Sequence, residues 1–202
     1  MARTPQHKEA IIRTAARLFR KQGFSATGLN QIVEESGAPK GSLYHYFPDG
    51  KEAIGAAAVA WAGGLARQTL LELANQSEGS GALLRSYSRL LGQWMAQSGF
   101  KDGCPIATAL LETVPESALI REAGDAVLAG WADVICNSLV TENVPVERAK
   151  RLANTAIAVL EGALLQARVA MQEKPILDAA EELALLFEHA IADAGATNTR
   201  PV

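Results

Sequence analysis

Ser25-Ala-Thr-Gly-Leu-Asn-Gln-Ile-Val-Glu-Glu-Ser-Gly-Ala-Pro-Lys-Gly-Ser-Leu-Tyr-His-Tyr-Phe-Pro-Asp-Gly-Lys51 reads as two short helices on either side of a tight turn, and this reading decides the fold. Leu29, Ile32 and Val33 share one helical face, Gly37 suits the left-handed conformation that ends a helix, and Leu43 and Phe47 resume an apolar face beyond it. Two short helices that cross and pack through those five side chains make a helix-turn-helix. Thr27 is placed to cap the first of them by accepting from its free amides. Pro39 falls near the first turn of the second, where its missing N–H costs nothing.

The second helix is chemically dense. Lys40, Gly41, Ser42, Tyr44, His45 and Tyr46 set a cation, a bare backbone, a hydroxyl and three polar-ended rings within about two turns. Groups of this kind donate to phosphate oxygens or reach base edges in the major groove, and Gly41 lets a duplex approach closely. After the break at Pro48-Asp49-Gly50, Lys51 opens a long helix whose positive end favours a phosphate. Taken singly, His45 also fits a solvated surface, and Tyr44 and Tyr46 also fit half-buried packing in a plain helical hairpin. Their company beside a correctly spaced turn favours DNA.

With Phe24, Thr27, Gly37, the run Lys40-Gly-Ser-Leu-Tyr-His-Tyr-Phe47 and Lys51 behind a basic first helix, the N-terminal part of the chain resembles the DNA-binding domain of the TetR family of repressors. The family usually has two residues between that Phe and that Lys, whereas this chain has Pro48-Asp49-Gly50. That variant, with Gly103-Cys104-Pro105 opening a later helix, is similar to the branch of the lincomycin-resistance regulators. The resemblance implies a bacterial transcriptional repressor that touches DNA through Thr27, Lys40, Gly41, Ser42, Tyr44, His45, Tyr46 and Lys51.

Charge is distributed to match. Residues 1–51 hold eight Lys and Arg against four Asp and Glu, whereas the remaining 151 hold eleven against eighteen, so the chain's net −3 divides into +4 and −7. A basic end on an acidic chain concentrates attraction to phosphate in one place. In the first helix Ile12, Ala15, Ala16 and Phe19 form an apolar stripe, and Arg13, Arg17, Arg20 and Lys21 cluster on another face. For most of those four a solvated surface is the expectation, so the helix braces the motif.

At 202 residues and 49% hydrophobic, the chain can bury a sizeable core in one large or two small domains. No run of about eighteen apolar residues is present and the charged N-terminus lacks the apolar centre of a signal peptide, so the expectation is a cytoplasmic protein with no membrane partner. Cys104 and Cys136 stand in no CxxC pattern and read as buried small hydrophobes.

Beyond the motif the pattern stays helical. Segments are predicted at about 51–75, 81–97, 105–113, 116–141, 146–172 and 176–194, punctuated by Gly79-Ser80-Gly81, Ser98-Gly99, Asp102-Gly103, Pro115, Pro145 and Pro175. Nothing alternates with a period of two long enough for a sheet. The reading is therefore all-α: a three-helix head over 1–51, a helical effector-binding and dimerisation domain over 52–194, and a disordered tail over 195–202.

Two further patterns bear on function. Ala153, Ile157, Leu160 and Leu164 in the penultimate helix, and Ala184, Phe187 and Ile191 in the last, repeat in steps of three and four. Periodicity alone allows these to be core within one chain. The TetR resemblance implies instead that they pair two copies into a four-helix bundle, a homodimer offering two reading helices to a roughly palindromic DNA operator. Trp61, Trp94, Met95, Phe100 and Trp131 lie on separate segments and can converge on an apolar effector pocket, with Glu112 or Glu161 as a polar group inside it; ordinary packing or exposure is the alternative for each. The resemblance implies a small hydrophobic or aromatic effector that releases the DNA.

An enzyme is disfavoured. His7, His45 and His189 are far apart, no metal-ligand spacing, phosphate-cradling glycine loop or serine elbow occurs, and no cofactor is expected. A helical adaptor that binds only proteins would leave the basic head without a purpose.

Overall fold

The computed structural model describes residues 5–198, and all regular structure among them is helical. In chain order the helices are α1 (Pro5–Gln22), α2 (Leu29–Ser36), α3 (Lys40–Tyr46), α4 (Gly50–Gln76), α5 (Ser80–Gln97), α6 (Ala107–Thr113), α7 (Ala118–Thr141), α8 (Val146–Ala170) and α9 (Lys174–Asn198). Several of the expected breakers end the segments they were expected to end, whereas Pro175 falls inside the first turn of α9 and Met171, at φ 53°, ends α8. Pro145 precedes α8 as its N-cap, and Gly37 ends α2 at φ 65°, where a side chain would be strained and glycine is not.

Two compact units form. Among the described residues, the first takes those up to Leu65 together with Asp102–Val127, the second takes Ala66–Lys101 and those from Leu128, and α4 and α7 contribute residues to both. In the first unit Ile11, Phe19, Ile32, Leu43, Phe47 and Ile54 are buried almost completely, so α1 to α4 close on one apolar centre. Its surface is pinned by ion pairs of the basic helix: Arg17 reaches Glu35 on α2 at 2.6 Å and Arg20 reaches Asp102 at 3.0 Å. Arg17 and Arg20 therefore brace the unit, while Arg13 pairs only with Glu9 of its own helix at 3.6 Å.

In the second unit α9 packs against α5 and α8. Ala153, Ala156, Leu160, Ala163 and Leu164 of α8 and Ala180, Ala184 and Phe187 of α9 are buried within the single chain. Arg85 of α5 holds Glu181 through two bonds of 2.8 Å and Glu188 through one of 2.9 Å, fastening α5 to α9 beside that core. The Glu142 carboxylate accepts the free N–H of Ser80 at 2.8 Å and so caps α5 from a distant part of the sequence.

Two expectations are corrected here. Ala153, Leu160, Leu164, Ala184 and Phe187, expected at a dimer interface, already have neighbours inside the chain, and Ile157 and Ile191 are half-buried. A stripe of period 3.5 identifies side chains that need partners and is silent on whose they are. The expected tail over 195–202 also starts too early. Ala194 is still buried and α9 continues to Asn198; residues 199–202 lie outside those described.

Candidate DNA-binding site

Leu43, wholly buried, and Phe47, 3% exposed, anchor α3 from its inner side. Helical periodicity then fixes what faces outward: Lys40, Gly41, Tyr44 and His45 are exposed as two rows one turn apart, with Ser42 and Tyr46 half-buried at the edges. Tyr44 is 54% exposed, an unusual expenditure of aromatic surface on solvent. His45 and Tyr46 meet edge to face with ring centroids 4.9 Å apart, which orders both rings. Pro39 precedes the helix, and Phe47 closes it by donating its N–H to the Leu43 carbonyl at 2.9 Å. The outcome is a short, rigidly seated helix with a cation, two ring-bearing polar groups and bare backbone on its free side.

Thr27 does not belong to that face. It is fully buried, its hydroxyl donates to the Gly23 carbonyl at 2.7 Å and accepts from Gln22 Nε2 at 3.3 Å, and the cap position of α2 falls to Gly28 with no side-chain bond. A threonine just before a helix can turn either way, and here the end of α1 claims it.

Lys51 is also engaged internally. Its ammonium lies 4.5 Å above the Phe24 ring and donates to the Ser25 carbonyl at 3.3 Å. Burial lowers its pKa from the ordinary lysine value, and the nearby Glu112 charge works the other way. Glu112, expected in an effector pocket, instead points from α6 into the α1–α2 turn, where its carboxylate accepts the Ser25 N–H at 2.6 Å. It lies so close to Gly23, which has φ +90°, that a side chain there would displace it. Burial alone would raise the Glu112 pKa, but hydrogen bonds from Ser25 and Phe24 and the charge of Lys51 outweigh it and hold the carboxyl below its usual value. On α2, Glu35 is likewise lowered, first by its hydrogen bond from Arg17 and then by Gln31.

The remaining effector candidates divide between the units. Trp61 is half-buried on α4 in the first, whereas Trp94, Met95, Phe100 and Trp131 belong to the second. Trp131 is 5% exposed and Met95 is 3% exposed, whereas Trp94 is 43% exposed. Phe100 sits in the turn after α5 at φ 57°, its N–H donating to the Met95 carbonyl at 2.8 Å. An open depression of about 360 Å³ lies elsewhere, beside Gln166, Gln172, Lys174, Pro175, Asp178, Ala179 and Glu182, and includes none of them. Cys104 and Cys136 are both buried thiols. No helix among the described residues is long and apolar enough to cross a membrane.

A three-helix head that seats one helix on its apolar side and frees the other side for phosphates and bases defines a class, the helix-turn-helix DNA-binding regulators. Residues 11–58 match the family described as bacterial regulatory proteins, tetR family, and residues 81–182 match the LmrA/YxaF-like transcriptional regulator C-terminal domain. The chain therefore belongs to the TetR family of DNA-binding transcriptional regulators, in its LmrA/YxaF-like branch. It is 32% identical over 179 residues to the HTH-type transcriptional regulator YxaF of Bacillus subtilis, covering 89% of this chain and 94% of that one. To LmrA of the same organism it is 33% identical over 170 residues, covering 84% and 90%. The solved reduced form of Escherichia coli NemR has the same fold, with a TM-score of 0.75 at 23% identity over 88% of this chain and 95% of that one.

Proposed function

We propose that this regulator is a repressor that binds a roughly palindromic operator as a homodimer and leaves it when a small hydrophobic or aromatic effector binds. The observation that carries the reading is the free face of α3. Lys40 supplies charge to phosphate, Gly41 allows close backbone approach, and Tyr44, His45, Ser42 and Tyr46 supply hydrogen bonds and ring contacts to backbone and base edges. Repression has support from the name of NemR, a transcriptional repressor.

Dimerisation in this reading uses the outward faces of α8 and α9, not their buried stripes. Leu165 and Val169 are 65% and 79% exposed on α8, with Leu177 and Leu185 at 38% and 39% on α9. Exposed Ala158 and Gly162 continue the α8 row and let a second helix come close. Twofold pairing there would give the dimer two α3 helices, and with them a need for paired half-sites. For release, the effector must bind the DNA-incompetent arrangement better than the competent one. Trp94, Met95, Phe100 and Trp131 are the side chains assigned to it.

The test is fluorescence anisotropy of the purified protein with the duplex flanking its own gene beside a scrambled duplex, over a series of salt concentrations. Tighter binding to the flanking duplex that persists at physiological salt is expected. Equal, weak and steeply salt-dependent binding to both would leave only charge attraction and defeat the reading for that site.

A further inference from the structure

The stretch that includes α6 is fastened at three points, two on the head and one on the first turn of α4. Arg20 pairs with Asp102, Glu112 accepts from Ser25, and the Ser117 hydroxyl, buried at the start of α7, donates to Glu52 at 2.7 Å. The middle fastening differs from the others because of what it occupies. The Glu112 carboxylate holds the Ser25 N–H, while the Lys51 ammonium holds the carbonyl of the same residue and the Phe24 ring, so a cation and an anion of the protein itself meet at one turn without forming an ion pair. Gly23 leaves the space in which the carboxylate sits.

We propose that Glu112 is an internal competitor for DNA phosphate: while α6 keeps it in the α1–α2 turn, Lys51 is retained by the Ser25 carbonyl, the Phe24 ring and the Glu112 charge, and withdrawal of α6 frees Lys51 for the duplex. This rests on the assignment of Lys51 as a phosphate contact. One ammonium cannot direct its charge to Glu112 and to a phosphate at full strength, so occupancy of one site weakens the other. α6 thereby sets the number of cations the head presents, without moving the reading helix.

Glu112→Gln tests it, because the amide keeps the shape and an acceptor for the Ser25 N–H while losing the charge. Wild type, Glu112→Gln, Lys51→Ala and the double variant are titrated by anisotropy against the flanking and scrambled duplexes from about 50 to 200 mM salt. Glu112→Gln should bind both duplexes about threefold more tightly per head at low salt, the scale of a partly exposed ion pair. Its plot of log affinity against log salt should steepen by about 0.9 per head, one more phosphate neutralised. In the Lys51→Ala background the substitution should do nothing. Weaker binding at unchanged slope would make Glu112 a brace, and tightening that survives removal of Lys51 would make it a general charge effect; either overturns the proposal. Melting curves check folding, and Glu112→Asp, whose shorter carboxylate withdraws from the turn, should shift the slope in the same direction. If the wild type binds neither duplex, the head's role falls first and this inference with it.

Discussion

Helices α3 and α8 each have one side covered by the chain and one side bare, yet the bare sides are chemical opposites. On α3 the exposed residues are Lys40, Gly41, Tyr44 and His45; on α8 one exposed row is Ala158, Gly162, Leu165 and Val169, beside polar Asn154, Thr155, Gln166 and Arg168. A side rich in donors and positive charge loses little by staying in water and gains from phosphate, so it can wait for a partner that comes and goes. A side carrying Val169 at 79% exposure pays continuously for contact with water, on the order of 25 cal/mol per Å² of apolar area, and is suited to a partner that stays. The contrast fits the proposed division between a DNA site that is switched and a surface that a second copy covers.

The strongest way to break this contrast is to make α8 resemble α3. Leu165→Glu with Val169→Glu places two charges per subunit on the outward α8 row and leaves the buried row untouched. Sedimentation should show a monomer at concentrations where the wild type is a dimer. DNA affinity should then fall by about a hundredfold or more, because two linked heads bind as one bivalent ligand and single heads do not. A dimer that persists with both charges in place would move the interface elsewhere.

Next in size is the reading face itself. Tyr44→Ala should lower affinity for the operator about fivefold to 150-fold, the range of one specific contact worth about 1–3 kcal/mol, and leave the melting temperature unchanged because Tyr44 supports no core. Lys40→Ala should act differently, weakening operator and scrambled duplexes alike and flattening the salt plot by about 0.9 per head. Equal effects of Tyr44→Ala on both duplexes would demote the tyrosine to a backbone contact.

How much of this was legible in the sequence depends on the distance over which each signal acts. Helix limits were read within a few residues because Gly37, Pro145 and their like act locally, and the exposure of α3 followed from the spacing of Leu43 and Phe47. The buried α8 stripe is also visible, but the exposed row beside it, Leu165 and Val169 continuing Ala158 and Gly162, carries a weaker periodic signal. Glu112 could not have been placed. Its partner Ser25 is 87 residues away, and a glutamate on a short helix has the same pattern whether it meets water, a ligand or a turn of the head.

The smallest effect belongs to Thr27, and it separates a role in holding the head together from a role in holding DNA. Its hydroxyl spans the end of α1 and the approach to α2, bonded to the Gly23 carbonyl and Gln22, with no surface open to a duplex. Thr27→Val keeps the volume and removes only those bonds, leaving the Gly23 carbonyl without that donor in a buried setting, at a cost of about 1–2 kcal/mol. A chain of this size should then melt about 2–8 °C lower. Operator affinity and the slope of the salt plot should stay as in the wild type under conditions where both are folded. A fall in affinity without a fall in melting temperature would return Thr27 to the DNA face, and would mean that the α1–α2 turn opens when the head meets its operator.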